Sequence, residues 1–121
     1  MDLIELLKRQ ERLREDYWKN VDYFLPVRLK WRAQMVRHLF HLLPENSLLD
    51  LGSGSCQWTR EISAANGNRN PICAAIFNKE MYEGSQHGSF PENIERIHLD
   101  SFSGKLSERR FDFIVGYQLL T

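Results

Sequence analysis

The 121-residue sequence has only two cysteines, Cys56 and Cys73, and no net charge, sixteen Lys and Arg offsetting sixteen Asp and Glu. Two cysteines are too few for the disulfide framework of a small secreted scaffold. Balanced charge gives no electrostatic reason to expect nonspecific nucleic-acid binding. No uncharged run approaches the roughly 20 apolar residues that a membrane-spanning helix requires. Met1 is followed at once by Asp2 and Glu5, unlike the basic and then apolar start of a secretory signal, so a cytoplasmic location is the expectation. Internal repeats and low-complexity segments are also missing. What remains is 42% apolar and 26% charged, an ordinary globular composition with length for one structural domain.

Charge is mildly uneven along the chain. Residues 1–43 carry nine Lys/Arg against six Asp/Glu, and residues 44–121 carry seven against ten. The first stretch reads as a helical cap. Leu3, Ile4, Leu6, Leu7 and Leu13 recur among charged residues behind Asp2, a candidate N-cap. An aromatic-rich link (Tyr17, Trp18, Tyr23, Phe24) leads to Pro26, which suits the first turn of a second helix. Leu29, Ala33, Val36, Phe40 and Leu43 carry that helix to Leu43, and Pro44 stops it. After Pro44 the rhythm changes. Short apolar runs at residues 47–51, 71–77, 94–99 and 111–115 read as strands, with helices from Gln57 to about Asn66-Gly67 and from Lys79 to about Ser85. Strands alternating with helices predict a parallel α/β sheet over residues 44–121.

The informative segment is Leu48-Leu49-Asp50-Leu51-Gly52-Ser53-Gly54-Ser55-Cys56. Glycines directly after a buried strand allow a tight turn and close approach of a ligand to the backbone, while the next helix aims unpaired N–H groups at the same place. A nicotinamide oxidoreductase is disfavoured, because G-x-G-x-x-G would need glycine where Gln57 stands, and no acid ends the second strand. The phosphate loop G-x-x-x-x-G-K-[ST] is absent.

With its acid two residues before the first glycine, Asp50-x-Gly52-x-Gly54 resembles the first motif of class I S-adenosylmethionine-dependent methyltransferases. The resemblance continues in order through Lys79-Glu80-Met81-Tyr82-Glu83 after the second strand, Ile94 to Asp100 at the third, and Phe111 to Val115 at the fourth. It covers residues 44–121 and implies a Rossmann-like sheet that stops after the fourth of the family's seven strands. It also implies S-adenosylmethionine as cofactor and S-adenosylhomocysteine as product. Carried over by position, Gly52, Ser53 and Gly54 line the methionine part, and Asp50 orients the loop and helps hold the ammonium. Asp100 and Ser101 lie at the adenine, and Gly116 and Tyr117 border the reacting methyl. Two departures stand out. Cys56 replaces a common third glycine, and Ile76 occupies the place of the acid that grips the ribose, leaving Asn78 or Glu80 to reach it.

The expected activity is methyl transfer to an unidentified acceptor. A small metabolite or saccharide is favoured by a faint similarity of residues 31–44 to methyltransferase segments associated with bacterial glycosyltransferases. The alternative is a non-catalytic binding or assembly module of the same fold. The open edge of the fourth strand is a template for self-association. Arg28, Lys30, Arg32 and Arg37 read as a solvated face, with a phosphate or sugar site as the sharper alternative. Trp18, Trp31 and Tyr17 are expected to pack the N-terminal helices on the sheet, where a lid over the cofactor cleft is the functional alternative. His38 and His41, spaced i, i+3 without an acid or cysteine beside them, do not make a metal site. Cys56 and Cys73 fall at opposite ends of adjacent parallel strands, too far apart for a disulfide. A place at a helix N-terminus would lower the Cys56 thiol pKa, but no histidine partner for a nucleophile is evident.

Overall fold

The computed structural model describes residues 2–85, 89–100, 106 and 108–117. Eight elements run in the order α1 (Leu3–Asn20), α2 (Leu25–Leu39), β1 (Leu48–Leu51), α3 (Gln57–Ala64), β2 (Ile72–Ile76), α4 (Lys79–Ser85), β3 (Ile94–His98) and β4 (Phe113–Val115). The strands form one parallel sheet in the order β3-β2-β1-β4. This is the α/β, Rossmann-like arrangement expected. Because every strand points the same way, the loops after β1, β2 and β4 meet along one edge. The chain moves outward from β1 to β3 on one side and returns to β4 on the other, which makes a switch point between β1 and β4. Open α/β sheets bind ligands in the crevice outside such a point.

Side chains alternate between the two sheet faces, and the alternation sorts the core. Leu48, Ile72, Ala74, Ile76 and Ile94 join Leu25, Leu29 and Ala33 of α2 and Trp58 and Ile62 of α3 in one cluster. Leu49, Cys73, Ala75, Phe77 and Leu99 form the opposite cluster, to which α1 contributes Leu7. All five β2 residues are buried, as befits a central strand covered on both faces. Asp2 caps α1 by accepting from the Glu5 amide at 2.8 Å.

Three local expectations need correction. The second helix ends at Leu39, not Leu43. His41 turns left-handed (φ 50°), the Leu42 amide returns to the Arg37 carbonyl, and buried Asn66 and Asn70 hold the carbonyls of Leu42 and Leu43. The strand near residue 111 begins only at Phe113, since Asp112 turns its carboxylate to the Ser47 amide at 2.8 Å. Of the three aromatics expected against the sheet, only Trp18 is buried. Tyr17 is 52% exposed and Trp31 69%, because both lie on the outer sides of their helices. Both cysteines are free. No described helix is long and apolar enough to cross a membrane.

Candidate functional site

The loop after β1 is built by three residues with positive φ: Gly52 (71°), Gly54 (55°) and Cys56 (65°). Glycine adopts that conformation without the roughly 1–2 kcal/mol that a Cβ costs. Each backbone donor of the loop has an identifiable acceptor. The Gly52 and Ser53 amides both donate to the Ala75 carbonyl of β2, at 2.9 and 3.0 Å, and the Cys56 amide donates to the Ser53 carbonyl at 2.7 Å. The Ser53 hydroxyl donates to the Asp50 carbonyl at 2.8 Å. These bonds hold the turn without help from any ligand.

The two remaining amides go to α1. Gly54 donates to Glu11 Oε2 at 3.0 Å, and Ser55 donates to Glu15 Oε1 at 3.2 Å. The Ser55 hydroxyl adds a 2.7 Å bond to Glu15 Oε2. Glu11 extends across the strand ends to β2, where its Oε1 accepts from the Asn78 amide at 2.9 Å and from Asn78 Nδ2 at 2.8 Å. The Phe77 amide is 3.1 Å from both oxygens. Glu11 is fully buried. A buried carboxylate is tolerable only when paired or fully hydrogen-bonded, and backbone N–H groups supply that here.

Asp50 is buried beneath the loop, with Thr59 Oγ1 donating to its Oδ2 at 2.6 Å. Loss of water raises its pKa to about 6, against opposing effects from Thr59, Arg14 and Ser53. It braces β1 against α3 by that bond. Burial likewise pushes the Cys56 thiol up to about 12, aided by the Asp50 charge. The shift runs opposite to the lowering expected at a helix N-terminus, because burial beside a carboxylate disfavours the thiolate.

Asn78 is buried and its amide is consumed by α1: Nδ2 also donates to the Lys8 carbonyl, and Oδ1 accepts from Arg12. Glu80 is exposed and paired with Arg12. Asp100 is exposed at the end of β3, and Ser101 lies outside the described residues. Gly116 is exposed, while Tyr117 stacks on Trp58 with ring centroids 4.5 Å apart. Arg14 Nη1 donates to the Tyr117 carbonyl at 2.9 Å, and Arg32 donates to its hydroxyl. The structure thus gathers Asp50, Gly52, Ser53, Gly54 and Asn78 around one strand edge and sets Tyr117 at the neighbouring switch point. A cleft of about 380 Å³ opens beside Tyr117 between α1 and α2, bordered by Arg14, Tyr17, Trp18, Arg28 and Arg32.

Glu11, Arg14 and Glu15 were not singled out from the sequence, although a signal existed. Leu7, Glu11, Arg14 and Trp18, the buried residues of α1, are spaced four, three and four apart and so share one helix face. Two apolar residues bracketing two charged ones placed those charges against the sheet.

A parallel sheet with a glycine loop at its switch point defines the class as a Rossmann-like α/β fold. Comparisons narrow it further: the chain is distantly similar to methyltransferases. It is 26% identical over 91 residues to a demethylmenaquinone methyltransferase of Staphylococcus epidermidis, covering 74% of this chain and 37% of the relative. Proteins of the same name from Staphylococcus saprophyticus and Staphylococcus haemolyticus match at 24% and 25% over the same length. The chain spans less than two-fifths of these relatives. No protein-family model matches it, and neither does any solved structure.

The resemblance implies S-adenosylmethionine at the Gly52–Gly54 loop, and the geometry tests the fit. The loop turns through Gly52, Gly54 and Cys56 at positive φ, but its outward donors are taken. A Cβ built on Gly54 would lie 2.2 Å from Glu15 Oε1 and 2.9 Å from Arg14 Nη2. The space that the glycine leaves for close approach is occupied by α1. With α1 in this position, the cofactor does not fit.

Proposed function

We propose that this chain carries the cofactor-binding part of an S-adenosylmethionine-dependent methyltransferase acting on a small-molecule acceptor. The observation that carries the reading is the Asp50-x-Gly52-x-Gly54 turn. It stands at the carboxyl end of β1, beside the switch point, in a chain whose distant relatives are named methyltransferases. The cleft beside Tyr117, with aromatic walls and arginines, favours a small polar acceptor such as a metabolite or saccharide. The Asp50 carboxylate acts as a brace for the loop, through Thr59, and the backbone of Gly52 to Gly54 is the binding surface.

A second reading, a non-catalytic binding module of the same fold, is favoured by one observation. Ile76 stands fully buried where the resemblance expects a ribose-gripping acid. Thermal unfolding of the chain with S-adenosylmethionine, S-adenosylhomocysteine or NAD separates the readings. A ligand that binds the native state stabilises it by about 2.7 kcal/mol at a hundred times its Kd. Our reading predicts a raised melting temperature with the two sulfur compounds and none with NAD. A shift with NAD alone would revive the nicotinamide alternative, and no shift with any of the three would leave the module reading.

The outer edge of β4, which no other described strand pairs, carries an accompanying proposal. Ile114 is 64% exposed on that strand, and we expect the edge to pair with a second copy. Light scattering of a stable monomer at high concentration would exclude the pairing.

A further inference from the structure

The glycine loop and the start of α4 form a continuous row of N–H donors from Gly54 and Ser55 to Phe77 and Asn78. Such nests of backbone amides bind anions and polar oxygens. In this chain the row is filled from within by two carboxylates one helical turn apart on α1. Glu11 takes Gly54, Phe77 and Asn78, and Glu15 takes Ser55.

The apolar hold of α1 on the sheet rests on three side chains, Ile4, Leu7 and Trp18. Of its four buried residues only Leu7 and Trp18 are apolar, while Leu3, Leu6, Leu13 and Tyr17 are exposed. Ile4 adds a partly buried apolar contact beside Leu7, and the Trp18 ring meets Tyr117. The other contacts are polar: Arg12 on Asn78, Lys8 on Asn78, and Arg14 on the Tyr117 carbonyl. A helix held chiefly by hydrogen bonds gives them up to a ligand that offers equivalent acceptors, and segments with few buried apolar contacts open at low free energy. Leu49, Phe77 and Leu99 keep one another as core partners when Leu7 leaves.

We propose that α1 is an internal competitor for the glycine-loop site: Glu11 and Glu15 occupy its donors in the closed chain, and ligand enters as α1 lifts away. The proposal rests on the cofactor reading above. A different role for Glu11, replacing the acid missing at Ile76 as a ribose ligand, is opposed by its geometry. Glu11 has no exposed surface, and both its oxygens already face N–H donors.

Two measurements on the 121-residue chain test this. Calorimetric titration with S-adenosylhomocysteine is made on the wild type, Glu11→Gln and Glu15→Gln, each checked for folding by circular dichroism. Loss of one charge-assisted hydrogen bond from the closed state should tighten binding by about 10- to 100-fold in each variant. Amide hydrogen exchange of the wild type should show residues 3–20 exchanging at least about tenfold faster in the complex than in the free chain, as α1 is released. Unchanged or weaker binding in a folded variant would overturn the competition, as would a complex in which α1 stays protected. If Glu11→Gln does not fold, Glu15→Gln and the wild-type exchange decide alone. Should neither the wild type nor any folded variant bind, the cofactor reading fails and the competition fails with it. Equal binding by all three refutes only the competition.

Discussion

Raising the pH should destabilise this protein through Asp50, and the effect can be worked out in sign and size. Its pKa is raised by burial from 3.8 to about 6 in the folded chain. Below pH 3.8 the residue is protonated in both states and contributes nothing. Between there and pH 6 the native state binds more protons than the unfolded one, so stability falls as pH rises. Well above pH 6 the residue is ionised in both states and the full cost is present. A shift of about two units at about 1.36 kcal/mol each gives roughly 3 kcal/mol. With urea slopes of about 1–3 kcal/mol/M for small proteins, this is a shift of roughly 1–3 M in midpoint. Urea denaturation of the wild type and Asp50→Asn from pH 4 to pH 7.5 isolates the effect, because other titrating groups are common to both. The stability of the wild type relative to Asp50→Asn should fall by about 2.4 kcal/mol, most of that amount, between pH 4 and pH 7 and then level off. A difference that stays flat, or one that grows in favour of the wild type with pH, would refute the account of a desolvated carboxyl under the loop.

Other expectations follow from the same geometry. Gly54→Ala should destabilise the chain by about 1–2 kcal/mol from the left-handed backbone alone, and the new methyl must also push Glu15 aside. Urea midpoints read the cost, and an unchanged midpoint would show that the turn is not held as described. Cys56 and Cys73 are buried with thiols shifted upward, so neither should react with a thiol reagent at pH 8 until the chain unfolds. Immediate labelling of the native protein would contradict this. Ile62→Ala, at a fully buried position between α3 and the sheet, should cost about 2–5 kcal/mol in urea denaturation.

The sheet was legible because its signals are local. Apolar runs bounded by Pro44, Asn66-Gly67 and Pro71, together with glycines directly behind a strand, predicted a parallel arrangement and the loop at its edge. Boundaries were less legible where a tertiary contact decides them. Asn66 and Asn70 hold Leu42 and Leu43 out of the second helix from across the fold, and sequence spacing around Phe40 could not show it. Trp31 looks like core by composition, yet its place on α2 turns it to solvent. The occupant of the loop was hidden for a related reason. Glu11 and Glu15 sit among Arg9, Arg12 and Arg14, where charge usually means a solvated face. Only the position of α1 across the strand ends turns those carboxylates into acceptors for the loop. Cys56 shows the same limit: its place at a helix start was readable, but not the burial beside Asp50 that reverses its titration.

The most direct test of the central claim, that the Gly52–Gly54 edge is a cofactor site, is an amide NMR titration of the isotope-labelled chain with S-adenosylhomocysteine. The account predicts that the amide signals of Gly52, Ser53, Gly54, Phe77 and Asn78 move together, accompanied by those of α1. Saturable changes confined to the cleft of Arg28, Arg32 and Tyr117, with the glycine loop unmoved, would contradict it.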